Sequence, residues 1–82
     1  MKLREDVKRV KRPNKSFIFS VKEGDLFETN QIGEFIIDKI EEGKGEKEIV
    51  EALYKETEED KKVISRDVKN FITQLKERGF LI

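Results

Sequence analysis

The stretch Asp25-Leu-Phe-Glu-Thr-Asn-Gln-Ile-Gly-Glu-Phe-Ile-Ile-Asp-Lys-Ile40 changes from strand to helix character within a few residues. Residues 26–29 are predicted to form a short strand. Asn30 is a favourable helix N-cap, because its side-chain oxygen can accept a hydrogen bond from a free amide of the first turn. A core helix is predicted from Gln31 to about Ile40, because apolar residues recur there at spacings of three and four: Ile32, Phe35, Ile36, Ile37 and Ile40.

Two further strands are predicted before this stretch. Phe17-Ile-Phe-Ser-Val21 places Phe17, Phe19 and Val21 on one side and Ile18 and Ser20 on the other, which is the period of two typical of a strand. The segment before it, residues 6–12, is predicted to be a strand that ends at the turn Pro13-Asn-Lys15. Gly24 can adopt a positive φ in the turn that leads into residues 26–29. The sequence thus predicts three short antiparallel strands.

A second helix is predicted over residues 46–54, where Ile49, Val50 and Leu53 form an apolar stripe. Residues 55–62 contain no apolar residue. We predict a mobile connection there, with Ser65 as the cap of a third helix. The alternative is an earlier start of that helix, capped through Thr57-x-x-Asp60.

The third helix is predicted to end at Gly79, and its apolar stripe consists of Val68, Phe71, Ile72 and Leu75. Phe80-Leu-Ile82 is predicted to fold back onto the core, as residues after a C-terminal glycine often do. Three strands followed by three helices indicate an α+β fold, with helices on one side of a three-stranded antiparallel sheet. The arrangement is winged helix-turn-helix-like, with the first hairpin as the wing. Such a sheet is too small to close, so at least one edge is expected to be exposed.

The chain contains no cysteine and no histidine. It therefore lacks thiol nucleophiles, imidazole bases and the usual zinc ligands. A core built from 82 residues is compact and leaves little room for a deep substrate cavity. We expect no independent enzyme, no metal site and no cofactor.

Membrane and export signals are not apparent in the sequence. No run of about 18 apolar residues is present to span a bilayer. The chain opens on Met-Lys-Leu-Arg-Glu-Asp, which turns polar at once, unlike a secretory signal. The expectation is a cytoplasmic protein without a membrane partner.

The net charge is zero but unevenly distributed, with +4 in residues 1–27, −6 in residues 28–62 and +2 in residues 63–82. Basic residues near the N-terminus could attract acidic peptide segments, or could simply be solvated: Lys8, Arg9, Lys11, Arg12 and Lys15. A winged helix could also bind DNA through its third helix. The acidic middle of the chain and a pI of about 6.4 disfavour a nucleic-acid partner.

Residues 25–82 resemble PqqD-like proteins, the recognition elements for precursors of ribosomally synthesised and post-translationally modified peptides (RiPPs). The resemblance rests on the order and spacing of short motifs, namely Phe27-x-Thr-Asn30, Gly33, Ile36-Ile37, Gly43, Glu48-Ile-Val50, Leu53, Asp67-Val-x-x-Phe-Ile-x-x-Leu75 and Gly79-Phe-Leu81. Thr29 departs from the family pattern, which usually has Leu before the Asn. The residues before Asp25 fit mainly by length and strand pattern.

The resemblance implies one PqqD-like peptide-recognition domain over residues 1–82, acting without catalysis in natural-product biosynthesis. Such a peptide chaperone binds the leader segment of a precursor peptide and presents it to a modifying enzyme, for example a radical S-adenosylmethionine (SAM) enzyme, a protease or a cyclase. The leader is added as a strand to the third strand and lies in the cleft against the third helix. The implied peptide-binding residues are Leu26, Phe27, Glu28, Thr29, Asp67, Phe71, Gln74 and Arg78.

Three points stay open at the level of sequence. Phe71 could be buried in the core rather than line the cleft. The opposite flank of the third helix could face the peptide instead, and it carries Arg66, Lys69, Thr73 and Lys76. The domain could also be a structural partner that docks on an enzyme without touching its peptide substrate.

Overall fold

A computed structural model describes all residues from 1 to 82 and contains three strands followed by three helices. The strands are β1 (Val7–Lys11), β2 (Ser16–Ser20) and β3 (Leu26–Thr29). The helices are α1 (Gln31–Glu41), α2 (Glu46–Thr57) and α3 (Lys61–Glu77). The sheet is antiparallel with the order β1-β2-β3. The predicted α+β, winged helix-like fold is confirmed, and none of its helices combines the length and apolar character needed to cross a bilayer.

Strand β3 forms one edge of the sheet, because it pairs with β2 on one side only. Its register places Phe27 opposite Ile18, and the Ser20 amide donates to the carbonyl oxygen of Asp25 at 3.0 Å. Hydrogen-bonded pairs alternate along an antiparallel ladder, so Phe27 and Thr29 bond to β2. The main-chain groups of Leu26 and Glu28 therefore point away from the sheet.

One face of the sheet packs against the helices. Ile18 is 1% exposed at the centre of this face, and Phe27 lies beside it on β3. The two serines of β2 are also buried there, and their hydroxyls are satisfied by carboxylates: Ser16 donates to Glu34 and Ser20 to Asp6, both at 2.6 Å. The opposite face has no covering element and presents the half-buried Phe17 and Phe19.

Helix α1 begins where the sequence predicts, because the Asn30 side chain accepts a hydrogen bond from the Gly33 amide at 3.0 Å. Its buried face is narrower than predicted. Ile32 is 44% exposed, whereas three other isoleucines of the helix are buried in the core: Ile36, Ile37 and Ile40. The helix is nevertheless the core helix that the sequence predicts.

The prediction of a mobile connection over residues 55–62 is wrong. Helix α2 continues to Thr57 and α3 begins at Lys61, so only residues 58–60 connect them. The Asp60 carboxylate accepts a hydrogen bond from the Lys62 amide at 2.8 Å and caps α3, whereas Ser65 lies exposed inside the helix. The early start is favoured because it buries Ile64 against the core, one turn before the first apolar residue of the predicted stripe.

The end of the chain folds back as predicted. Gly79 has a φ of +78°, and the Phe80 amide donates to the Leu75 carbonyl at 2.9 Å, which is a Schellman-type helix end. Phe80 is completely buried, but Ile82 is 70% exposed. A bridge between Leu3 and Leu81 joins the two ends of the chain and has no signal in the sequence, since it depends on tertiary proximity.

Strand β1 pairs with β2 and is also linked to α1 by ion pairs. Arg9 pairs with Asp38 at 2.9 Å and also with Glu41, and Lys11 pairs with Glu34 at 3.6 Å. The basic segment near the N-terminus therefore neutralises part of the acidic middle of the chain. Arg9 and Lys11 are thus used within the fold.

Candidate functional site: the cleft between β3 and α3

A cleft of about 440 Å³ lies between the free edge of β3 and helix α3. Strand β3 leads directly into α1, so its position is set by β2 on one side and by the Asn30 cap at its end. Helix α3 is fixed by its buried stripe, which turns Phe71 and Gln74 towards the strand. The lining residues are Lys15, Phe27, Glu28, Thr29, Asn30, Phe71 and Gln74.

Aromatic contacts form the floor of the cleft. The rings of Phe27 and Phe71 meet edge to face, with centroids 5.7 Å apart. On its other side Phe27 packs against the buried ring of Phe80 at 6.1 Å. Phe71 is half-buried, so it belongs both to the edge of the core and to the cleft wall. The apolar floor offers a place for apolar side chains of a bound molecule.

Gly33 brings the strand, α1 and α3 into close contact behind the cleft. A Cβ atom at this position would lie 2.8 Å from Cε1 of Phe71 and would overlap Oγ1 of Thr29. Only glycine allows this approach without displacement of a neighbour. Thr29, the departure from the family pattern, is half-buried and packs against this glycine.

Arg78 closes the cleft at the Leu26 end. Its guanidinium binds both carboxylate oxygens of Asp25, at 2.9 and 3.2 Å, and Nη2 also donates to the Leu26 carbonyl at 2.9 Å. The guanidinium lies 5.1 Å from the centroid of the Phe27 ring, in cation–π geometry. The hydrogen bonds from Arg78 hold the pKa of Asp25 below its ordinary value of 3.8, and the same pair raises the pKa of Arg78.

Glu28 is the residue of β3 whose outward main-chain groups lie along the cleft. Its side chain is on the outer face of the sheet and pairs with Lys15 at 3.2 Å. No side-chain hydrogen bond reaches its main-chain amide or carbonyl. These two groups can therefore accept a further strand.

Most of the residues that the resemblance implies for the site are brought together. Phe27, Glu28, Thr29, Phe71 and Gln74 line the cleft, and Leu26 and Arg78 meet at one end of it. Asp67 lies on the same flank of α3, one turn before Phe71, but it is exposed outside the cleft lining beside Arg66.

Two lining residues are not among those that the resemblance implies. Lys15, which the charge pattern indicates only as a cation that could attract acidic segments, belongs to the turn between β1 and β2, and Asn30 is predicted only as a helix cap. Both reach the cleft because Ser16 pairs with Thr29, which sets their neighbours side by side. Their position at the cleft follows only from the strand register, which the sequence does not specify.

The site offers hydrogen-bonding groups and apolar contacts. The cleft lining contains amide, ammonium, carboxylate and hydroxyl groups but no nucleophile paired with a base. No cluster of acidic side chains in the protein is arranged to hold a metal ion. The arrangement suits binding of an extended chain.

Fold and site together define a winged helix-like α+β domain in which a free strand edge faces a helix across an aromatic cleft. The chain belongs to the PqqD family: the family model described as coenzyme PQQ synthesis protein D (PqqD) matches residues 15–81. The resemblance found in the sequence is thereby confirmed, and the match includes every strand and helix except β1. No curated protein sequence matches the chain significantly.

Two solved structures share this fold. TbiB1 in complex with the TbiA(beta) leader peptide has a TM-score of 0.90 and 27% sequence identity, over 99% of this chain and 94% of that chain. Lasso peptide synthetase B1 complexed with the leader peptide has a TM-score of 0.86 and 20% identity, over 96% of this chain and 93% of that chain.

Proposed function

We propose that this protein binds the leader segment of a ribosomally synthesised precursor peptide and presents the peptide to a modifying enzyme. The leader joins the sheet as a fourth strand beside β3 and lies against Phe71 and Gln74 of α3. The protein itself performs no catalysis in this proposal. The modifying enzyme is a separate partner, such as a radical SAM enzyme, a protease or a cyclase.

The observation that carries the proposal is the free edge of β3 beside the cleft. Main-chain hydrogen bonds to Glu28 would hold any extended peptide, while the cleft between Phe27 and Phe71 would select apolar side chains. Each hydrogen bond contributes about 0.5–1.5 kcal/mol, and each buried apolar side chain about 1.5–3 kcal/mol. Ordering of a flexible leader costs about 2–5 kcal/mol, which offsets much of this gain, so we expect binding to be reversible.

The comparisons support this proposal over DNA binding. TbiB1, which is 27% identical over nearly the whole chain, was solved with a leader peptide. A DNA-binding winged helix would need a basic surface around α3. Here α3 carries the acidic residues Asp67 and Glu77 as well as basic ones. Two cations of β1, Arg9 and Lys11, form ion pairs with α1 and are therefore not free to contact phosphates.

Calorimetric titration tests the proposal. The purified protein is titrated with the synthetic leader of the precursor peptide encoded beside its gene and, separately, with duplex DNA. We expect saturable leader binding and no comparable DNA binding. Binding of DNA without binding of the leader would overturn the proposal in favour of the winged-helix alternative.

A pair of variants at one position tests the role of the β3 edge. Glu28→Pro removes the outward amide without removing a bond to β2, and proline is tolerated at such a position of an edge strand. Glu28→Ala keeps the amide and removes only the side chain. We expect Glu28→Pro to weaken leader binding by at least about tenfold, since a lost hydrogen bond and a steric clash combine, and Glu28→Ala to bind within about threefold of the wild type.

A further inference from the structure

We propose that Asp25 and Arg78 form an end stop that sets the register of the bound peptide along β3. The inference rests on the proposed function, since it requires a guest strand at the β3 edge. It specifies which main-chain groups of β3 are free to form hydrogen bonds with the guest strand and which are already hydrogen-bonded within the protein. The end stop is built from two contacts at Leu26 and from a third that holds Arg78 against Phe27 and Asp25.

The first contact uses the only donor that Leu26 can offer a guest. The Leu26 amide donates to Oδ1 of the adjacent Asp25 at 2.9 Å. An amide has a single hydrogen, so a guest carbonyl can bond here only after the carboxylate moves away. The Asp25 carboxylate is itself held by two nitrogens of Arg78.

The second contact occupies the position of a guest amide. Nη2 of Arg78 lies 2.9 Å from the Leu26 carbonyl oxygen, which is the usual separation of the amide nitrogen and carbonyl oxygen in a strand ladder. A carbonyl oxygen has a second lone pair, but the guanidinium fills the space at the edge of the strand. A guest strand would have to displace it to continue past this point.

The third contact keeps the guanidinium in place. The Arg78 guanidinium lies over the Phe27 ring, 5.1 Å from its centroid, while it makes its paired hydrogen bonds to Asp25. The paired hydrogen bonds suit a planar guanidinium, and a lysine cannot reproduce them. Two residues from opposite walls of the cleft therefore close the Leu26 end, whereas nothing comparable closes the end at Asn30.

The consequence is a defined register. In an antiparallel guest strand, the residue opposite Glu28 exchanges both main-chain hydrogen bonds with it, and its side chain points to the outer face of the sheet, as that of Glu28 does. Its two neighbours then direct their side chains towards Phe27, Thr29 and Phe71 in the cleft. A slip by one residue would exchange these two faces, so a fixed stop determines which leader residues are read.

An N-methyl scan of the leader tests the end stop, because methylation removes one guest amide donor at a time. The synthetic leader of the precursor encoded beside the gene is methylated at successive amides and titrated against the wild type. The same scan is run against the double variant Asp25→Ala/Arg78→Met, which opens both main-chain groups of Leu26. Lys76→Met, a substitution on the other flank of α3, is the control for loss of a cation.

For the wild type we expect about tenfold weaker binding when the amide paired with Glu28 is methylated. The amide two residues along, towards Leu26, should tolerate methylation in the wild type and in Lys76→Met. In the double variant that second amide should become sensitive, or the sensitive position should shift by two residues.

The same set of sensitive amides in the wild type and the double variant would overturn the end stop while leaving leader binding intact. Absence of leader binding to the wild type, in contrast, would overturn the proposed function and the end stop with it. The two failures are therefore distinguishable in one set of titrations.

Discussion

Gly33 shows how a single residue determines the shape of the cleft wall. It is buried in the first turn of α1, where any side chain would meet Thr29 and Phe71. Its backbone is ordinary helix, so the requirement for glycine is one of space and not of φ. Position 29 and position 33 are therefore coupled: a threonine side chain fits at 29 only because 33 has none.

We expect Gly33→Ala to destabilise the protein by about 1–3 kcal/mol, the usual range for an overpacked site. The free energy of unfolding in urea measures this. Thr29→Ala removes the oxygen that the new methyl group would overlap, so the double variant should recover part of the loss. Strictly additive effects of the two substitutions would contradict the coupling.

Asp6 is expected to make stability depend on acid pH. The Ser20 hydroxyl, the Lys22 amide and the charge of Arg4 hold the pKa of Asp6 below its ordinary value of 3.8. Its contribution is therefore fully present above that value and is lost as the pH falls through the lowered pKa of the folded state. Unfolding in urea between pH 7 and pH 2 should show this loss, and Asp6→Asn should flatten the acid side of the profile. An unchanged profile in Asp6→Asn would count against the assignment.

At the scale of elements, the start of α3 is where sequence reasoning and structure differ most. The lack of apolar residues over residues 55–62 predicts a mobile connection there. The charged side chains of this segment instead lie on the solvent-exposed surface at the end of α2 and the start of α3. Lys61 of α3 forms an ion pair with Glu51 of α2 at 2.8 Å. A single apolar residue, Ile64, is enough to anchor the added turn in the core.

The cap of α3 can be tested by a matched pair of substitutions. Asp60→Ala removes the observed cap and should cost about 1 kcal/mol of unfolding free energy. Ser65→Ala changes an exposed position inside the helix, so it should be neutral or stabilising by up to about 0.5 kcal/mol. Thermal or urea unfolding of both variants decides between the two starts. A larger loss for Ser65→Ala would support the later start.

At the scale of the whole molecule, the order of elements was predictable because each has a local signal. Alternation marks β2, the Asn30 cap marks α1, and Gly79 marks the end of α3. The cleft was predictable only through the family resemblance. Its detailed form depends on the register of β2 with β3 and on the packing of α3, which are tertiary properties without a local signal. The contact between Arg78 and Leu26 joins residues 52 positions apart, so it also has no local signal in the sequence.

A chain of 82 residues has a small sheet and a limited core, so an added strand should be visible in global stability. A ligand that binds only the folded state at 100 times its Kd stabilises it by about 2.7 kcal/mol. For a domain of this size, that corresponds to a rise in Tm of about 10–20 °C. Calorimetric or fluorimetric melting with increasing leader concentration measures the shift.

The Glu28 variants connect this global effect to the β3 edge. With leader at the same concentration, Glu28→Ala should show nearly the full rise in Tm, whereas Glu28→Pro should show a much smaller one, because its main-chain donor is missing. The two variants without leader provide the baselines, since proline can change stability by itself. An equal rise in both variants would mean that the leader stabilises the protein from another surface, and the strand-addition mechanism would then be wrong even though the leader binds.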